Sequence, residues 1–158
     1  MNYSFIIRKA CADDAKLVKE VMDDSFSLYK TKILPVGELD VLNETIEDIK
    51  NDILNKAVFI ALIDSEAVGS VRIELGKDSE AFISRFGVKQ KFHNIGIGKA
   101  LMNLADKYLL SENIKKAKLY TASKYADLMR FYYGRGFYVH SITTDRGYVR
   151  ALMIKEYP

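Results

Sequence analysis

Tryptophan is absent from these 158 residues, cysteine occurs once and proline twice. A lone Cys11 excludes an intramolecular disulfide framework, and nothing stands at metal-ligand spacing from it, so a reducing, cytoplasmic setting is the expectation. Pro35 and Pro158 belong to no linker, and neither repeats nor Pro/Gly/Ser-rich tracts divide the chain; 1–158 reads as one domain. No apolar run approaches bilayer length, and Met1 to Arg8 has only a short apolar stretch without a cleavage-type pattern, so neither export nor membrane insertion is expected. Charge of one sign is not in excess: 24 Lys and Arg stand against 21 Asp and Glu, interspersed along the chain. No continuous basic stripe argues for nucleic acid, and a small phosphate-bearing ligand fits better. The two histidines, His93 and His140, have no cysteine or carboxylate spacing around them that suggests a metal site.

What is present is an ordinary globular composition, 49% hydrophobic and 28% charged, long enough to bury a core. Phe5 to Arg8 is a short strand-type run. Leu17, Val18, Val21 and Met22 then recur at helical spacing after Asp13 and Asp14. Leu42, Thr45, Ile46, Ile49 and Ile53 mark a second helix, beyond a loop with Pro35 and Gly37. Val58 to Ile63 and Ala67 to Leu75 flank the turn residues Asp64, Ser65 and Glu66 as a hairpin, and Ala81 to Val88 is a further strand. From Gly96 the period is helical, with Leu101, Leu104, Ala105 and Tyr108 on one face. Lys118 to Ala122 reads as a strand and Tyr125 to Tyr133 as a helix; Tyr138 to Thr143 and Tyr148 to Lys155 form a terminal hairpin. The order is βααβββαβαββ.

The most informative segment runs from Val88 to Leu101, where a strand passes through a short loop into a helix that starts with Gly96 and Gly98. Glycine lets a ligand approach the backbone, and the first amides of a helix have no intrahelical acceptor, so a phosphate or pyrophosphate is the expected guest. A P-loop requires glycine where His93 stands and Ser or Thr where Ala100 stands. A dinucleotide fingerprint requires a third glycine at the place of Leu101, and an earlier position in the chain.

The segment His93-Asn94-Ile95-Gly96-Ile97-Gly98 resembles the pyrophosphate loop of the GNAT superfamily of N-acetyltransferases, which reads Arg/Gln-x-x-Gly-x-Gly/Ala; His93 and Asn94 are departures from it. Phe131-Tyr-Tyr-Gly-Arg-Gly-Phe137 is similar to a second family pattern, an aromatic pair followed by Gly-Phe. The resemblance covers nearly the whole chain. It implies an α/β (α+β) fold with a mixed, mostly antiparallel twisted sheet of about seven strands flanked by about four helices. It also implies acetyl-CoA as co-substrate, with Phe86, Gly87 and Val88 at the strand end and His93 through Lys99 in the loop as its contacts, backbone amides above all. Tyr125 stands where the family often has an asparagine that touches coenzyme A.

By the same resemblance Tyr132 is the general acid, since collapse of a tetrahedral intermediate expels a thiolate that a phenol can protonate. The bland alternative is core packing, because Tyr125, Leu128, Met129 and Tyr132 share a helical face. A strand glutamate used as base in one branch of the family is Phe82 here. Glu80, of the same strand parity, is the remaining candidate, beside Glu74 and a water chain. The expected reaction is acetyl transfer from acetyl-CoA to a primary amine, small molecule or peptide, with no metal. A non-catalytic acyl-CoA sensor and an interaction protein are the alternatives. Phe26, Tyr29, Pro35, Gly37, Asp145 and Tyr148 are expected to border the acceptor, with Asp23, Asp24, Glu38 or Asp40 attracting a cation. Exposed aromatics would permit a homodimer.

Overall fold

One strand carries two apolar faces: Ala57, Phe59 and Ala61 alternate with Val58, Ile60 and Leu62, all buried. Such a strand must lie between two layers. In the computed structural model, which describes residues 4–158, it is β2 (Ala57–Ile63), next to one edge of a seven-stranded sheet. Of the Met1 to Arg8 segment, residues 1–3 lie outside the described residues. The other strands are β1 (Ile6–Lys9), β3 (Glu66–Leu75), β4 (Glu80–Val88), β5 (Lys116–Ala122), β6 (Tyr138–Thr143) and β7 (Arg150–Glu156). The helices are α1 (Ala15–Ile33), α2 (Ile46–Asn55), α3 (Ile97–Ser111) and α4 (Ala126–Gly134). The sheet order is β1-β2-β3-β4-β5-β7-β6, antiparallel everywhere except between β4 and β5.

Val58, Ile60 and Leu62 meet Val18, Val21 and Met22 of α1 and Ile49 of α2 on one side of the sheet. Phe59, Val71, Ile73 and Ile83 meet Leu101, Met102, Ala105 and Leu109 of α3 on the other. Thr45 caps α2, accepting the Asp48 amide at 3.1 Å while its own amide donates to the Asp48 carboxylate at 2.9 Å. Helix α1 runs well past the Leu17 to Met22 stretch that marks it in the sequence. Phe26, Tyr29 and Ile33 continue its buried stripe at spacings of four, three and four, so Phe26 and Tyr29 are helical and not loop residues.

Two irregularities shape the centre. Strands β4 and β5 pair only at Glu80–Lys116, Ala81–Ala117 and Phe82–Lys118; beyond Phe82 they part, β4 staying with β3 and β5 with β7. A fork opens in the middle of the sheet. Within β4, Ser70 faces Gly87 but Arg72 faces Ser84, so Arg85 and Phe86 together oppose Val71. This is a β-bulge, with Arg85 at φ 53°. It inverts side-chain parity: Ala81 and Ile83 face α3, whereas a Cβ on Gly87 would run into Ser25 of α1.

Candidate active site

The loop between β4 and α3 presents bare backbone. Gly96 caps α3 at φ 93°, Asn94 is also left-handed at φ 64°, and Ala100 is the first helix residue whose amide is bonded, to the Gly96 carbonyl at 3.0 Å. Among the described residues, the amides from Asn94 through Lys99 have no backbone acceptor, so they and the helix dipole make an anion seat. A Cβ on Gly98 would lie 3.1 Å from the Phe86 ring, so a larger residue there would push into the space beside the strand end. The His93 ring donates from Nε2 to the Val88 carbonyl at 2.8 Å and pins the loop to the end of β4. The Gln90 amide donates to Asp24 at 2.7 Å, which ties the same linker to α1.

These residues line a cleft of about 330 Å³, walled by Phe86, Gly87, Val88, His93, Asn94, Gly96 to Lys99, Tyr125 and Phe131. Ile95 is half-buried against the core on the α3 side. Phe26, Tyr29, Phe86 and Leu128 also line a second cleft of about 230 Å³, so the two spaces meet at the bulge. Tyr132 faces that second cleft from α4, in a ring cluster with Phe86 (6.2 Å), Phe131 (5.6 Å) and Phe137 (5.7 Å). Burial, with Tyr29 nearby adding to it, pushes the Tyr132 phenol well above its ordinary range. Tyr29, likewise raised by burial, accepts the Ala122 amide at 2.8 Å.

Glu80 does not join this group. It sits at the closed end of the fork, paired with Lys118 at 2.8 Å, and lines neither cleft. The hydrogen bond from Lys118 holds its carboxyl below the usual range, the wrong direction for accepting a proton near neutrality. Up to roughly 20 Å of strand separates it from Phe86. Glu74 is bound up with Lys56 at 3.7 Å. Asp23 pairs with Lys19 and Asp24 serves the Gln90 linker, so of the four acids expected at the acceptor only Glu38 and Asp40 border the second cleft.

Residues 19–137 match the Acetyltransferase (GNAT) family. The chain belongs to that family. No curated protein matches it. Its fold follows a PaiA N-acetyltransferase from Thermoplasma acidophilum, solved in complex with coenzyme A, at TM-score 0.85 and 23% identity over 98% of this chain and 99% of that one. A GNAT-family acetyltransferase from Streptococcus pneumoniae gives 0.79 at 17% identity over 98% and 100%. A Bacillus anthracis acetyltransferase in complex with acetyl coenzyme A gives 0.70 at 16% over 98% and 99%. At these identities the likeness is one of fold.

The seven-stranded mixed sheet with four helices is thus the GNAT architecture, as the element order implied. Sequence reading alone passed over Arg85, Tyr120, Thr121 and Arg150, which line the second cleft of this GNAT chain. Arg85 reaches it because the bulge re-aims the strand, and Arg150 because β7 lies beside β5. The strand pattern holds no sign of the first, since one extra residue in β4 becomes visible only against the register of β3.

Proposed function

We propose that the protein is a single-domain acetyl-CoA-dependent N-acyltransferase that acetylates a primary amine by direct attack. The observation that carries this reading is the run of unbonded amides from Asn94 through Lys99, opening on a cleft that meets Tyr132's cleft at Phe86. The donor set fits a pyrophosphate, which needs several converging N–H groups and no side-chain charge. Acetyl-CoA, when bound, supplies a thioester activated toward amines. Ile95 to Lys99 would hold its pyrophosphate, and the strand end Phe86 to Val88 would align the pantetheine arm. The Val88 carbonyl already accepts from His93.

Tyr132 acts as the acid. Among the described residues its hydroxyl has no hydrogen-bond partner and burial keeps it protonated; a thiolate expelled into the same desolvated space is itself more basic and takes that proton. No carboxylate is assigned as base: Glu38 and Asp40 are exposed at the rim, Asp40 paired with Arg146 at 2.7 Å. The amine's proton leaves through water in the open second cleft. Alignment of thioester and amine across the fork supplies much of the acceleration. Calorimetry with coenzyme A and acetyl-CoA tests the seat, and thiol release over a panel of amines tests the transfer. Absence of heat from both ligands at millimolar concentration overturns the reading.

A further inference from the structure

Three arginines, Arg85, Arg146 and Arg150, line the second cleft, each with one acid beside it. Arg85 stands at the bulge with its Nε buried and unbonded; its nearest acid, Glu44, is 3.4 Å away, and both Glu44 oxygens already accept from Arg72 at 2.8 and 2.9 Å. Arg150 lies over the Tyr120 ring at 4.3 Å, its Nε also buried and unbonded. One of its Nη atoms donates to Asp145 at 3.1 Å, an acid that is largely exposed and shared with Thr143. Both arginines line that one cleft from opposite sides of the fork, and among the described residues neither Nη of Arg85 and only one Nη of Arg150 is hydrogen-bonded.

We infer that the acceptor amine carries a carboxylate, and that Arg85 and Arg150 hold that carboxylate in the second cleft while its amino group faces Tyr132 and the bulge. This rests on the acyl-transfer reading and names the substrate class for it. A guanidinium presents paired donors that match a carboxylate, and stacking on Tyr120 fixes the plane of one of them. A polyamine would meet two like charges instead, with the rim acids Asp40 and Glu38 engaged by Arg146 and Asn43. The cleft, about 230 Å³ and open to the first one at the bulge, has room for an amino-acid-sized group beside the two arginines.

The test uses matched acceptors that differ in one charge: amino acids, their carboxamides, and spermidine, with thiol release giving kcat/KM for each. The free acid is expected to exceed its carboxamide by about tenfold or more, the usual scale of a lost charge-assisted hydrogen bond. Arg85→Gln and Arg150→Gln should each collapse that ratio toward one, chiefly through KM, with the coenzyme A-induced rise in Tm serving as the folding control. If a glutamine variant fails that control, the lysine variant at the same position is used, and a ratio lowered but not abolished is expected. Equal rates for acid and carboxamide, or a preference for spermidine that the variants leave unchanged, overturn the inference. If no amine is turned over, the catalytic reading falls. Calorimetry of the coenzyme A-loaded protein with the acid and carboxamide then decides the anion site by itself: binding of the acid alone supports it, and equal or no binding overturns it.

Discussion

Tyr132 is 4% exposed and lines the second cleft, and among the described residues its hydroxyl has no hydrogen-bond partner. A phenol acting as acid is competent while protonated, and burial raises its pKa, so its active form persists to higher pH than a free tyrosine's. The expected pH profile of kcat/KM rises as the amine deprotonates and shows no descending limb below about pH 10, the ordinary tyrosine value. A descending limb between pH 8 and 9 in stopped-flow thiol release, absent in Tyr132→Phe, would contradict this assignment. In the same assay Tyr132→Phe should lower kcat by about 100-fold, within the usual reach of general acid catalysis, and leave the Kd of coenzyme A near the wild-type value. With its folded-state pKa raised, Tyr132 contributes stability that is fully present below the unfolded value of about 10 and is lost as pH rises through the folded one.

At the scale of elements, two helix starts do different work. The start of α3 is left uncapped by side chains, with Gly96 left-handed, which leaves its first amides open to an anion. Gly96→Ala puts a Cβ at φ 93°, a strain of about 1 kcal/mol or more, and should weaken coenzyme A binding in calorimetry by at least about fivefold. The start of α1 is closed instead. Asp14 accepts the Cys11 amide at 2.8 Å and two bonds from Arg8 at 2.7 and 2.9 Å. The Arg8 bonds hold its carboxyl far below the usual range. A depressed pKa contributes stability above the unfolded value of about 3.9 and loses it as pH falls toward the folded one. Asp14→Asn should therefore lower the urea midpoint at pH 7 by an amount equal to about 1 kcal/mol and flatten its decline between pH 5 and 2. An unchanged acid limb would show that other carboxylates set it.

Across the whole molecule, a buried ion cluster joins the layers. Arg72 of β3, with its side chain fully buried, binds Glu44 before α2 and Asp52 within it, and Arg85 of the bulge shares Glu44. Removing Glu44 takes two of the three charge-assisted bonds from buried Arg72 and leaves it Asp52 alone, whereas replacing both sides is milder. Glu44→Ala should lower stability by about 3 kcal/mol in denaturant titration, and Glu44→Ala with Arg72→Met should recover part of that loss. Because Arg85 loses its neighbour as well, the acceptor KM should change in Glu44→Ala while coenzyme A affinity does not.

How much was legible beforehand follows from which interactions are local. Periodicity carries every helix and strand, since burial of one face repeats at 3.6 or 2 residues, and the paired glycines mark the anion seat because left-handed backbone and close approach are local demands. Length was less legible: α1 outran its apolar start because Tyr29 is buried against Tyr125 and Tyr148, contacts from far along the chain that its own spacing does not announce. Glu80 matched by strand parity, yet pairing with Lys118 of a neighbouring strand sets its charge state. The sequence by itself determined the order of elements, the family and the glycine-bearing start of α3. Only the tertiary structure decided where β4 and β5 part, which way the bulge turns Arg85, and that Arg150 stands across the fork from it. Those are matters of register between strands far apart in the chain, and no single strand's pattern contains the register of its neighbour.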